Sequence, residues 1–192
     1  MLQAFVFNET AILVRHWFEI GPDAAEHGAR IEICRRIRPP HRGSESASQA
    51  VELDHTLWRA DLFDLFDGTP GNFERAHYHK SFEGPEPSPR SWDEDLSADP
   101  IGWAETQLAD FAALIASCGH HLACPEEEQR DVWAHLDEIS VAARKAAGSN
   151  CRSPQACLEA TRDTTGIVAI MGAMFRSELP DDSRDPRSST TV

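Results

Sequence analysis

Basic side chains are scarce in this sequence: 18 Lys and Arg stand against 32 Asp and Glu, a formal charge of -14. Such a field repels phosphate backbones, which bind through basic surface and counterion release, so no nucleic-acid partner is expected. The deficit is uneven, because residues 1–50 hold six basic against six acidic side chains and residues 51–150 hold seven against twenty. The one basic cluster, Arg35-Arg36-Ile37-Arg38, alternates within a strand-like run and reads as a solvated strand face with partners on the acidic half. Long apolar runs are also missing. Ala11 to Ile20 is broken by Arg15 and His16, whereas a membrane helix needs roughly 18 uncharged apolar residues, so no span is expected. Met1-Leu2-Gln3-Ala4-Phe5 has no basic segment ahead of an apolar stretch, and the expectation is a cytoplasmic protein without a secretory signal. A Gly-rich phosphate loop, a Gly-x-Ser-x-Gly elbow and a His-Glu-x-x-His helix are all absent. Nucleotide-dependent, hydrolase and zincin readings are thereby set aside as first choices. Cysteines number five, and the pairs Cys118/Cys124 and Cys151/Cys157 each enclose five residues. That spacing is wider than zinc pairs usually show, and a reducing compartment disfavours disulfides, so these read as buried thiols.

What is present is an ordinary globular chain: 192 residues, 41% hydrophobic, with mean hydropathy -0.44. One domain over residues 1–177 is the expectation. Phe5-Val6-Phe7 turns at Asn8-Glu9 into an alternating strand. Ile12, Val14, His16, Phe18 and Ile20 share one side of it, and Leu13, Arg15, Trp17 and Glu19 the other. A loop from Gly21 to Gly28, a third strand over 30–37 and a fourth over 55–66 complete an antiparallel sheet of about four strands, curved or partly closed. Residues 67–99 carry Pro70, Pro85, Pro87 and Pro89 without an apolar period, which predicts a long irregular connection of the kind that often carries function. The period then becomes helical. Asp99 caps and Pro100 starts a helix with Ile101, Ala104, Leu108, Phe111 and Ile115 in one stripe. A second runs from Pro125 to Gly148 with Val132, Leu136, Ile139 and Ala143 inward. Ser153-Pro154 opens a third segment in which Ile167, Ile170, Met171, Met174 and Phe175 form a face, and residues 178–192 predict a disordered tail. The fold class is α+β, with two to four C-terminal helices packed on the sheet.

The densest chemical cluster is Arg75-Ala76-His77-Tyr78-His79-Lys80-Ser81-Phe82-Glu83. In an extended chain His77 and His79 point the same way, and two imidazoles on one side can share a metal. Zinc, iron, nickel, copper and manganese all accept imidazole nitrogen, with Glu83 as a third ligand and one coordination position left open. Without a metal, His77 or His79 paired with Asp61 or Asp64 would transfer protons near neutral pH. A purely structural role for the pair is the third reading. Arg59, on the preceding strand, is the candidate anchor for a substrate carboxylate, with an ion pair to Asp61 as its alternative. His16, on an apolar strand face, needs a partner and is either a core hydrogen-bonder or part of a polar pocket that binds substrate.

The spacing Gly71-x5-His77-x-His79-x3-Glu83 resembles the first metal-binding motif of the cupin family, whose small β-barrels hold a metal with two histidines, a glutamate and a later histidine. The resemblance spans 13 residues. Arg90 stands where that pattern places a glycine, no second motif follows, and the downstream chain is helical. It implies only that His77, His79 and Glu83 meet at a metal. The resulting expectation is a small-molecule enzyme, as a monomer or homo-oligomer, with its pocket between sheet and helices. A non-catalytic interaction protein that docks through the Pro-rich loop, Trp92 and Trp103 is the alternative.

Overall fold

The computed structural model describes residues 2–22, 24–37, 51–148, 153 and 155. The chain divides into the units Met1–Pro154 and Gln155–Val192, and every element below belongs to the first. The expected third helical segment beyond Pro154, the Met171/Met174 pair, Cys151, Cys157 and the tail lie outside the described residues.

Five strands form one antiparallel meander: β1 (Leu2–Val6), β2 (Thr10–Ile20), β3 (Ala25–Ile37), β4 (Glu52–Leu65) and β5 (His77–His79), in that spatial order and not closed into a barrel. The turn at Asn8-Glu9 is fixed by Phe7 N–H donating to Thr10 O at 2.9 Å, and the next by Gly21 N–H donating to Ala24 O at 2.9 Å. The predicted loop to Gly28 is thus shorter, and β3 begins at Ala25. Gly28 faces a close approach, because a Cβ there would overlap the carbonyl oxygen of Leu62. The fifth strand comes from the segment predicted to be irregular. That segment also supplies a small hairpin, β6 (Phe82–Glu83) with β7 (Glu86–Pro87), and the short helix α1 (Glu94–Ala98).

The helices are α2 (Pro100–Ala109), α3 (Phe111–Ser117), α4 (Pro125–Ala134) and α5 (Leu136–Ala147). Asp99 caps α2 by accepting from Gly102 N–H, and Pro100 occupies the first turn, as predicted. Each expected long helix is broken once. At Asp110 the Gln129 amide replaces the lost helical bonds, accepting from Ala112 N–H at 3.0 Å and donating to Ala109 O at 2.7 Å. Leu108, Phe111 and Ile115 are nevertheless all buried.

Alternation divides the sheet into two faces. Ile12, Val14, Ala29, Ile31, Ile33, Trp58, Ala60 and Leu62 form the helix-covered side, packed with Leu96, Trp103, Phe111, Val132 and Ile139. α5 covers β2 and β3, while α2 reaches β4, where Trp103 stacks on Trp58 at 6.0 Å and meets Tyr78 at 4.9 Å. Each such side chain contributes roughly 1.5–3 kcal/mol by leaving water. Glu128, fully buried on α4, accepts from Thr10 N–H at 2.8 Å and Thr10 Oγ1 at 2.6 Å, which ties the helices to the first hairpin. No helix among the described residues is long and apolar enough to cross a membrane.

Candidate functional site

The opposite face of the sheet is polar, and its centre, around Arg30, Asp61, His77 and His79, is still buried, which is unusual because charged groups leave water only when paired. Register places Arg15 opposite Arg30 and Arg30 opposite Asp61, then Asp61 opposite His77 and Arg59 opposite His79. Directly opposed residues share a face, so these side chains assemble without any loop having to find them. Asp61 is fully buried; Arg30 Nε donates to its Oδ1 at 2.5 Å and Arg59 Nε to its Oδ2 at 2.9 Å. Arg30 also reaches Glu19 at 2.7 Å, and Arg15 reaches Glu32 at 2.6 Å. Arg75 and Arg90 close the network on Glu26, with Arg90 also on Glu19. The Arg30 guanidinium lies 4.5 Å from the Trp17 ring and 5.5 Å from Phe63, which adds cation–π attraction in a desolvated setting.

His77 and His79 converge on this carboxylate. Nδ1 of His77 lies 2.7 Å from Arg75 O, and Nδ1 of His79 lies 2.5 Å from Ser88 O. A carbonyl oxygen can only accept, so both Nδ1 atoms carry a proton, and both rings turn Nε2 toward Asp61. The two Nε2 atoms stand 3.4 Å and 3.6 Å from Asp61 Oδ2. His79 Nε2 receives a hydrogen bond from Arg59 Nη2 at 3.0 Å, whereas His77 Nε2 is buried without a hydrogen-bond partner. Tying Nδ1 to a backbone carbonyl is the arrangement that orients metal-binding histidines.

The charge states agree with this. Burial pushes the Asp61 carboxyl up, but its contact with His77 and the charges of Arg30 and Arg59 outweigh that and hold it well below the usual carboxylate range. Burial lowers the His79 pKa, and the Arg59 charge adds to the effect against the opposing Ser88 and Asp61 contributions. The group therefore offers a carboxylate oxygen and two imidazole nitrogens, all within 4.8 Å of one another, and could hold a metal ion.

The predicted residues divide. His77, His79, Asp61 and Arg59 meet at one point, on the face away from the helices rather than between sheet and helices. Arg59 is engaged by Asp61 and His79, so the ion pair and not a vacant anchor is what the structure holds. Asp64 lies on the helix side. It accepts from Gly71 N–H at 2.8 Å and from Phe73 N–H, and so fixes a turn in which Phe73 takes a positive φ of 50°. His16 is also on the helix side, 5.9 Å from the His27 ring, with its pKa lowered to about 4 by burial and by His27. Glu83 is exposed in the β6–β7 hairpin and does not join the group, because the turn at Gly84, with φ of 60°, carries it outward. Asp61 takes its place. Trp103 is buried and Trp92 exposed, so the interaction reading keeps one of its two aromatics. Sequence reasoning missed Arg30, although its period-two relation to Glu32 was available.

No family model matches this chain, and neither does any curated protein or solved structure.

Proposed function

We propose that the protein is a metal-dependent enzyme acting on a small molecule, with Asp61, His77 and His79 as the metal ligands. The observation that carries this is the spacing of the donor atoms. Metal–ligand bonds of about 2.0–2.2 Å put tetrahedral ligand atoms roughly 3.4 Å apart, and Asp61 Oδ2 lies 3.4 Å and 3.6 Å from the two Nε2 atoms. Without a metal, a proton on His77 Nε2 meets the Asp61 carboxylate in this position, so metal and proton compete for it. Two imidazoles and one carboxylate suit zinc, iron, nickel, copper or manganese, and leave positions for water and substrate. A metal so held polarises a substrate oxygen or lowers the pKa of a bound water. The ligands are nine-tenths or more buried. Substrate access therefore requires movement around the 80–91 segment, which carries Phe82 6.2 Å from the His79 ring and is tied to β5 by Ser91 N–H donating to Tyr78 O at 2.9 Å. The acidic charge supports a small-molecule rather than a nucleic-acid partner.

Metal analysis of protein purified without a histidine tag tests the reading. One equivalent per chain, lost in His77→Ala and Asp61→Asn while the fold persists, is the expected outcome. Metal-free protein that takes up none of these ions on titration would overturn it.

A further inference from the structure

We infer that this centre takes its metal together with a small anionic co-ligand, a carboxylate or similar oxyanion, and that Arg59 is the residue that receives it; the inference rests on the metal reading above. Two observations carry it. The first is competition. Arg59 donates Nε–H to Asp61 Oδ2 at 2.9 Å and Nη2–H to His79 Nε2 at 3.0 Å, so one guanidinium covers two of the three ligand atoms. An imidazole nitrogen has a single lone pair, and it cannot serve Arg59 and a metal together. Metal entry therefore displaces Arg59 Nη2 from His79, while its Nε–H can stay on Asp61 Oδ2, an oxygen with a second lone pair. The Arg59 side chain is 13% exposed and lies 5.6 Å from the Phe82 ring, a desolvated place in which the displaced Nη2 requires an acceptor. Glu32, opposite Arg59 in the register, is already bonded to Arg15.

The second observation is charge. The ion pairs of this face join five arginines to four carboxylates, an excess of one positive charge among the described residues. With both rings neutral, a divalent ion raises the excess from one to three. The metal's own charge would sit among the buried members, Asp61, Arg30 and Arg59, where an anion entering with it offsets the added charge, and a planar guanidinium beside open coordination positions suits a carboxylate. One oxygen of the anion then meets the metal while Arg59 holds the other.

Cobalt(II) titration followed by visible absorption, in acetate and in perchlorate at equal ionic strength, tests this on the full chain. Acetate should tighten cobalt binding by about 10-fold, within the usual range of coupling between sites, and cobalt should tighten acetate binding by the same factor. Arg59→Met should bind cobalt more tightly than wild type in perchlorate and lose the acetate effect; Arg59→Lys, which keeps the charge without the fork, should keep a weakened effect. Cobalt binding that ignores acetate in the wild type, or an acetate effect that survives in Arg59→Met, overturns the co-ligand and leaves the metal site standing. Failure of all three proteins to bind cobalt removes the metal reading and this inference with it.

Discussion

Replacing Asp61 by alanine tests whether the polar face depends on one carboxylate. Its side chain is wholly buried, and the two guanidiniums on it are 4% and 13% exposed. Removing one partner of such a pair costs about 3–5 kcal/mol, because the remaining charge stays buried without compensation. The costs of the two arginines do not simply add. Arg30 keeps Glu19 at 2.7 Å, whereas Arg59 keeps only the His79 nitrogen. The expected loss is therefore about 3–5 kcal/mol in total, dominated by Arg59. Asp61→Asn preserves shape and one acceptor while losing the charge, and should cost about 1.5–3 kcal/mol. Urea unfolding followed by far-UV circular dichroism measures both. With a slope of about 1–3 kcal/mol per molar urea, Asp61→Ala should lower the midpoint by roughly 2 M at an unchanged slope. A loss below about 1 kcal/mol would refute the reasoning, since the arginines would then be reaching water or another carboxylate.

Glu128→Gln should cost about 2–3 kcal/mol by denaturant unfolding, because the buried carboxylate accepts from Thr10 N–H and Oγ1 on Oε1 and from Glu9 N–H on both oxygens, and an amide replaces one of those oxygens, and the charge, with an NH2 that cannot accept; a neutral effect would show that the α4 tie to the first hairpin is dispensable. Phe111→Ala, at a fully buried position, should cost about 3–5 kcal/mol as a large-to-small core change, and near-wild-type stability would mean the helix packs through another face. Gly28→Ala should prevent or severely weaken folding, since its Cβ would overlap the Leu62 carbonyl; a soluble variant with wild-type melting would contradict that packing. His16 has a folded pKa lowered from 6.5 to about 4, so the unfolded chain binds the proton first: its contribution is complete above pH 6.5 and declines as pH falls toward 4. Discounted for a half-buried ring, the decline is about 1–2 kcal/mol, and His16→Leu should flatten that limb of the stability–pH curve.

The sheet, the change to helical period at Asp99 and the caps at Asp99-Pro100 were legible because each is local: an alternation, a carboxylate before a proline, a stripe. His77 and His79 were legible for the same reason, being two apart in an extended segment. What escaped depends on register and distance along the chain. Arg30 meets Asp61 across 31 residues, and Glu128 meets Thr10 across 118. Neither follows from spacing. Asp64 is a different failure, since 59 and 61 share a parity that 64 does not, and period two alone separates it from the site. Glu83 came from matching a motif's spacing, which cannot anticipate a glycine turn that swings the side chain away.

β4 shows how closely stability and site are joined here. Trp58, Ala60, Leu62 and Asp64 face the helices, while Arg59, Asp61 and Phe63 face the polar network. A one-residue slip of β4 against β3 would send Trp58 into the arginines and Asp61 into the apolar core, so the packing that stabilises the fold is also what fixes Asp61 opposite His77. The bulges of the β3–β4 pair lie at Ile33/Cys34 and Cys34/Arg36, and the ladder from Ile33 through Glu26 runs in unbroken register past the site. Irregularity is thus confined to one end of the pair, and the three prospective ligands are held by the regular part. A site on paired strands is positioned by the whole ladder, which is why Asp61 and the two imidazoles can keep distances suited to a metal without a loop to adjust them.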